Sequence, residues 1–152
     1  MSTVLSAIHR LFRGRQNVVT SSLLREHGYH YTVAFGCSLP DVKQLADVIR
    51  QGVDDPESPF FATDLTVLAE DLWADVRIRE SRLLAPILYP RGTMTLDVAE
   101  RWADTIPTPE VADVLCMYAL QFGIGHELIQ RWQHSADAMR RYCATSLQRR
   151  LS

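Results

Sequence analysis

The 152 residues carry 16 basic and 18 acidic side chains, for a formal net charge of −2. A chain of this length folds as one domain around a continuous core, and no run approaches the roughly 18 uninterrupted apolar residues of a membrane span. The three cysteines, Cys37, Cys116 and Cys143, stand far apart with no C-x-x-C pair; this argues against a disulfide scaffold or a zinc site and for a reducing, cytoplasmic compartment.

Residues 3–13 place Val4, Leu5, Ile8, Leu11 and Phe12 on one helical face, with Arg10, Arg13 and Arg15 towards the end, where cations suit the helix dipole. The spacing predicts a packed first helix, a membrane-surface or targeting helix being the alternative. A second helix is predicted over about Asn17–Glu26, closed at Gly28. His27 and His30 follow on an aromatic-rich loop. Two loop histidines without a third partner do not make a metal site, and neither a metal nor a cofactor is expected.

Ser38-Leu39-Pro40-Asp41 opens a third helix with a capping serine, a proline in the first turn and an acid. Its buried stripe is Val42, Leu45, Ala46 and Ile49, and Gly52 closes it. Thr63 is the predicted cap of a helix holding Leu65, Leu68 and Leu72. After a corner at Trp73, a helix over about Ile78–Leu88 sets Ser81, Leu84, Ala85 and Leu88 on one face, and Pro90-Arg91-Gly92 ends it. Thr95 caps the next helix, with Val98 and Trp102 facing inward. Thr108-Pro109-Glu110 starts another, and Val111–Gln121 is apolar almost all round. Gly123-Ile124-Gly125 breaks the chain before a last pair, His126–Gln133 and Ala136–Leu151.

No segment alternates with period two, so no strand is predicted. Trp73, Trp102 and Trp132 stand 29 and 30 residues apart, each closing an amphipathic segment. A unit recurring at that period is the signature of a helical solenoid. The predicted fold is all-α, a right-handed stack of about eight helices in four hairpins, forming one domain over residues 1–152.

Taken residue by residue, the chain offers no Gly-rich phosphate loop, no metal-spaced cluster and no Ser or Cys beside an obvious base. Glu80 and Arg82 are two apart and point to different helix faces, each placed to pair with a neighbouring repeat. Asp75, Asp104 and Asp113 are the carboxylates nearest the repeat corners, where capping or solvation is the ordinary role. Residues 1–40 hold four bases and one acid, 41–113 seven bases and fifteen acids, and 114–152 five bases and two acids. Basic ends around an acidic middle weaken a nucleic-acid reading without removing it, because a solenoid can line one face with Arg. Fifteen of the sixteen bases are Arg, which fits either bidentate phosphate recognition or genomic bias.

Several motifs in order change this picture: Tyr31 and Gly36-Cys37-Ser38-Leu39-Pro40 before an amphipathic helix, Leu68-Ala69-x-x-Leu72-Trp73, Arg79-Glu80-Ser81-Arg82-x-x-Ala85, Trp102-x-Asp104 and Glu110-Val111-Ala112-Asp113. From about Gly28 to Leu120 this succession resembles the AlkD-like DNA alkylation repair family. The resemblance implies a superhelical stack of HEAT-like repeats (an ARM-type fold), a concave Arg-lined face for duplex DNA and, in active members, monofunctional removal of a cationic alkylated base. It puts the catalytic aspartate on Asp113, which would stabilise oxocarbenium character on the sugar, and makes Arg77, Arg79, Arg82, Arg140 and Arg141 candidate phosphate contacts. The family's Trp-x-x-x-Asp pattern reads Pro109-x-x-x-Asp113 here, and the chain stops soon after Arg150, so weak or absent catalysis is expected. A protein-interaction scaffold on the same fold is the alternative function. Self-association through the first helix is a third.

Overall fold

The computed structural model describes residues 3–18, 20–22 and 33–152. Among these the structure is all-α: α1 (Thr3–Gly14), α2 (Leu39–Gly52), α3 (Leu65–Ala74), α4 (Arg79–Leu88), α5 (Leu96–Ala103), α6 (Pro109–Leu115), α7 (Gly125–Trp132) and α8 (Ala138–Leu151). Among the described residues the one extended pairing is an isolated parallel bridge between Val33 and Ile78. Residues 18 and 20–22 are helical, as predicted for the second helix, whose remainder, with His27 and His30, lies outside the described residues. The chain divides into two compact units, Met1–Leu88 and Tyr89–Ser152.

The first unit is built around α4, all ten of whose residues are buried. Leu83, Leu84, Ala85, Ile87 and Leu88 supply the apolar part. The polar first turn, Arg79-Glu80-Ser81-Arg82, is buried too, and burial of such groups is tolerable only when they are hydrogen-bonded or paired. Glu80 accepts from the backbone N–H of Phe35 (2.9 Å) and of Gly36 (3.2 Å) and from Arg79 Nη1 (2.5 Å). Arg79 Nη1 also donates to the carbonyl of Cys37 at 3.1 Å. Ser81 Oγ donates to Asp75 at 2.8 Å, and the guanidinium of Arg82 lies 4.1 Å from the centre of the Trp73 ring. Thus Glu80 does bind across sequence, but to a loop backbone; Arg82 stacks within its own hairpin.

That loop is held from its other side as well. Asn17 N–H donates to the carbonyl of Phe35 at 2.7 Å, and Gly36 takes φ +79°. A Cβ on Gly36 would lie 2.2 Å from the Asn17 carbonyl oxygen, so both backbone angle and space demand glycine. Gly36→Ala is expected to destabilise the protein by about 1–3 kcal/mol, the scale of a residue forced into a sparsely populated backbone region; the urea midpoint is the measurement.

Helix α1 packs Ala7, Ile8 and Phe12 into this unit, in keeping with a core helix, and His9 Nε2 sits 3.0 Å from Asp75. Burial and then the nearby Glu80 carboxylate push the Cys37 thiol up to about 12. In α2 the capping serine and the stripe Val42, Leu45, Ala46 and Ile49 appear as predicted. The cap of α3 is not Thr63 but Asp64, whose carboxylate accepts from the N–H of Thr66 and Val67. An ionised acceptor beside a helix N-terminus is the stronger cap.

The second unit contains α5 to α8, of which α7 and α8 pack against each other as a hairpin. Thr95 and Thr108 cap α5 and α6 as expected, but the inward residues of α5 are Ala99 and Trp102, with Val98 only half-buried. The predicted helix Val111–Gln121 is two pieces: α6, then a π-helical turn over Cys116–Leu120 in which Gln121 N–H donates back to the Cys116 carbonyl. Each of the three tryptophans occupies the last turn of its helix, Trp73 in α3, Trp102 in α5 and Trp132 in α7, and all are buried. The period is therefore structural. Among the described residues no helix is long and apolar enough to cross a membrane.

Candidate functional site around Asp113

Thr108 accepts from Val111 N–H at 3.2 Å, Pro109 occupies the first turn, and α6 runs inward from there. Val111, Ala112, Val114, Leu115 and Cys116 are all buried; Asp113 alone in this stretch reaches the surface. One turn later, inside the π segment, Met117 is half-buried, and its carbonyl accepts from Gln121 Nε2. A π turn interrupts the regular helical register and occurs often at functional sites.

The facing wall is α8. Asp137 caps it by accepting from Met139 N–H at 3.0 Å. Its first turn is locked by Arg140, which donates to Glu100 Oε1 (3.1 Å), the Glu100 carbonyl (3.0 Å), Asp104 (2.7 Å) and Asp137 (2.7 Å). Burial works against the charge of Arg140, but the hydrogen bonds to Asp104, Asp137 and Glu100 outweigh it and raise its pKa. The bond to Arg140 is also the main reason Asp137 lies below the usual carboxylate range. Trp132 Nε1 donates to the same Glu100 oxygen at 2.8 Å, so one carboxylate joins α5, α7 and α8.

With α8 fixed in this way, Tyr142, Ser146, Arg149 and Arg150 fall at i, i+4, i+7 and i+8, which is one helix face. Together with Asp113 and Met117 they line a cleft of about 550 Å³. Tyr142 Oη donates to both carboxylate oxygens of Asp113, at 2.9 and 3.1 Å. Arg150 Nε donates to Ser146 Oγ at 3.2 Å, and Ser146 is buried, so this guanidinium is oriented from below. The cleft thus offers a carboxylate and an aromatic ring at one end and two cations at the other. Among the described residues no group of three or more His, Cys, Asp or Glu side chains is placed to hold a metal ion.

The sequence-predicted site residues separate into distinct places. Asp113 lies in the cleft. Arg77 and Arg141 are exposed, Arg141 donating to the Ser135 carbonyl. Arg79 and Arg82, 4% and 2% exposed, are committed inside the first unit, and Arg140 is committed to its three carboxylates. As they stand, these three serve the fold. Tyr142, Met117 and Ser146 are not singled out by sequence reasoning. The i, i+4, i+8 spacing of Tyr142, Ser146 and Arg150 was available as a signal, but nothing local says that this face meets Asp113.

Repeated helical hairpins and a carboxylate cleft rimmed by guanidinium groups define an all-α helical-repeat protein. The chain belongs to the DNA alkylation repair enzyme family, whose model matches residues 9–151. No curated protein and no solved structure matches it. Family membership gives the chain a role related to DNA repair.

Proposed function

We propose that the protein is one HEAT-like repeat domain that binds duplex DNA and releases cationic alkylated bases slowly at the Asp113 cleft. The family match runs across the boundary at Leu88, which supports treating both units together. One observation carries the reading: the single surface residue of an otherwise buried stretch is a carboxylate in a cleft that also holds Arg149 and Arg150. In the reaction the C1′–N bond breaks and its electron pair leaves with the base, which departs neutral. The sugar cation is stabilised electrostatically by Asp113 and captured by water, whose proton passes to solvent. Arg149, Arg150, Arg141 and Arg77 are among the exposed or cleft-lining guanidinium groups available to phosphates. The departing base lacks the aromatic wall that a tryptophan at position 109 would supply, and this is the reason for a slow rate. The three free, buried thiols suit a cytoplasmic setting.

The experiment has two arms. Binding to a duplex carrying an abasic-site analogue should weaken with salt, with a log–log slope of about −3 if three to four phosphates are neutralised. Incubation with methylated DNA should release 7-methylguanine or 3-methyladenine, detected by chromatography. Absence of binding at low salt and micromolar protein would favour the protein-scaffold alternative.

A further inference from the structure

The partner that holds Asp113 is neutral. Arginines line the same cleft, yet among the described residues none comes within salt-bridge distance of Asp113, and the contact that fixes its carboxylate is the phenol of Tyr142. The distinction is electrostatic. A guanidinium in that place would hold the carboxylate equally well but would cancel most of its field at the sugar, whereas a phenol fixes the rotamer and leaves the full negative charge.

We propose that Tyr142 is a positioning residue for base release, a neutral hydrogen-bond donor that aims the Asp113 carboxylate into the cleft without neutralising it. This inference rests on the base-release reading given above. Both ends of the bond are anchored, because Ala112 and Val114 on one side and Cys143 and Ala144 on the other are buried. Accepting the bond, Asp113 raises the pKa of the Tyr142 phenol, and burial adds to this, so the hydroxyl stays protonated as a donor at neutral pH. Tyr142 transfers no proton in the step: the electron pair goes to the departing base and the proton of the attacking water to solvent.

Tyr142→Phe keeps the ring and removes only the hydroxyl of a 36%-exposed residue. Single-turnover release should slow about tenfold, the scale of one lost hydrogen bond to a charged group. Affinity for abasic-analogue DNA should stay within about twofold, the bond being made to Asp113 and not to a phosphate. In an Asp113→Asn background the same change should have no further effect, because the two residues act as one unit. Tyr142→Arg, which restores a donor but adds a cation, should be at least as slow as Tyr142→Phe and keeps the test usable should the Phe variant misfold. Full activity in Tyr142→Phe, an equal loss in the Asp113→Asn background, or rescue by Arg would each overturn the proposal. If the unmodified protein releases no base from methylated DNA, the base-release reading itself has failed, and this is known before any variant is compared.

Discussion

Replacing Glu80 by alanine is expected to lower the free energy of unfolding by about 3–5 kcal/mol, the scale for breaking a buried ion pair from one side. Glu80 is 0% exposed, and its two oxygens satisfy the N–H groups of Phe35 and Gly36 as well as the guanidinium of Arg79. Truncation removes one carboxylate from beside a buried cation and leaves two amides without acceptors, and each lost interaction adds to the cost. The Cys37 carbonyl still accepts from Arg79, which retains part of the compensation and places the result inside that range instead of above it. Water entering the space would soften the effect further. Urea unfolding followed by circular dichroism measures it, and a loss below about 1 kcal/mol, typical of a surface change, would contradict the role given to Glu80.

Asp113→Asn is expected to reduce single-turnover base release by about 10²–10³-fold, the scale seen when one preorganised electrostatic group is removed from a transition state. The substitution is nearly isosteric, and the asparagine carbonyl can still accept from Tyr142, so cleft shape and fold are retained. The loss would then be the negative charge alone. DNA affinity should change little, because a carboxylate does not attract phosphates and its removal slightly relieves repulsion. Activity unchanged in Asp113→Asn would take this residue out of the chemistry while leaving the DNA-binding part of the proposal standing.

The ends of the helices were largely readable because caps are local. Ser38, Thr95 and Thr108 each satisfy backbone N–H groups within three residues, and sequence spacing contains that information. At Thr63-Asp64 two cap residues compete side by side, and spacing alone does not choose between them. The π turn over Cys116–Leu120 was illegible, since one apolar stretch supports either hydrogen-bond register and packing decides. Burial of Arg79, Glu80 and Arg82 was missed for a related reason. A charged tetrapeptide at a helix start reads as solvated unless one knows that a loop more than 40 residues earlier returns to bind it. The candidate site was half legible: Asp113 was reached through the resemblance, whereas its contact with Tyr142 spans 29 residues and depends on how α8 is docked. That docking is set by Arg140, which sequence reading gave to phosphates.

The placement of the three tryptophans in three separate helices has a practical side. Trp73 has the guanidinium of Arg82 over its ring, Trp102 meets the edge of Tyr89 at 5.6 Å, and the Trp132 indole N–H is bonded to Glu100. Three indoles in three different surroundings act as built-in fluorophores, one reporting from residues 1–88 and two from 89–152. Indole emission from Trp73→Phe protein comes only from the second unit, and indole emission from the Trp102→Phe, Trp132→Phe double variant only from the first. The order in which the halves lose structure, and the half whose light changes when DNA is added, can thus be followed without attaching a dye.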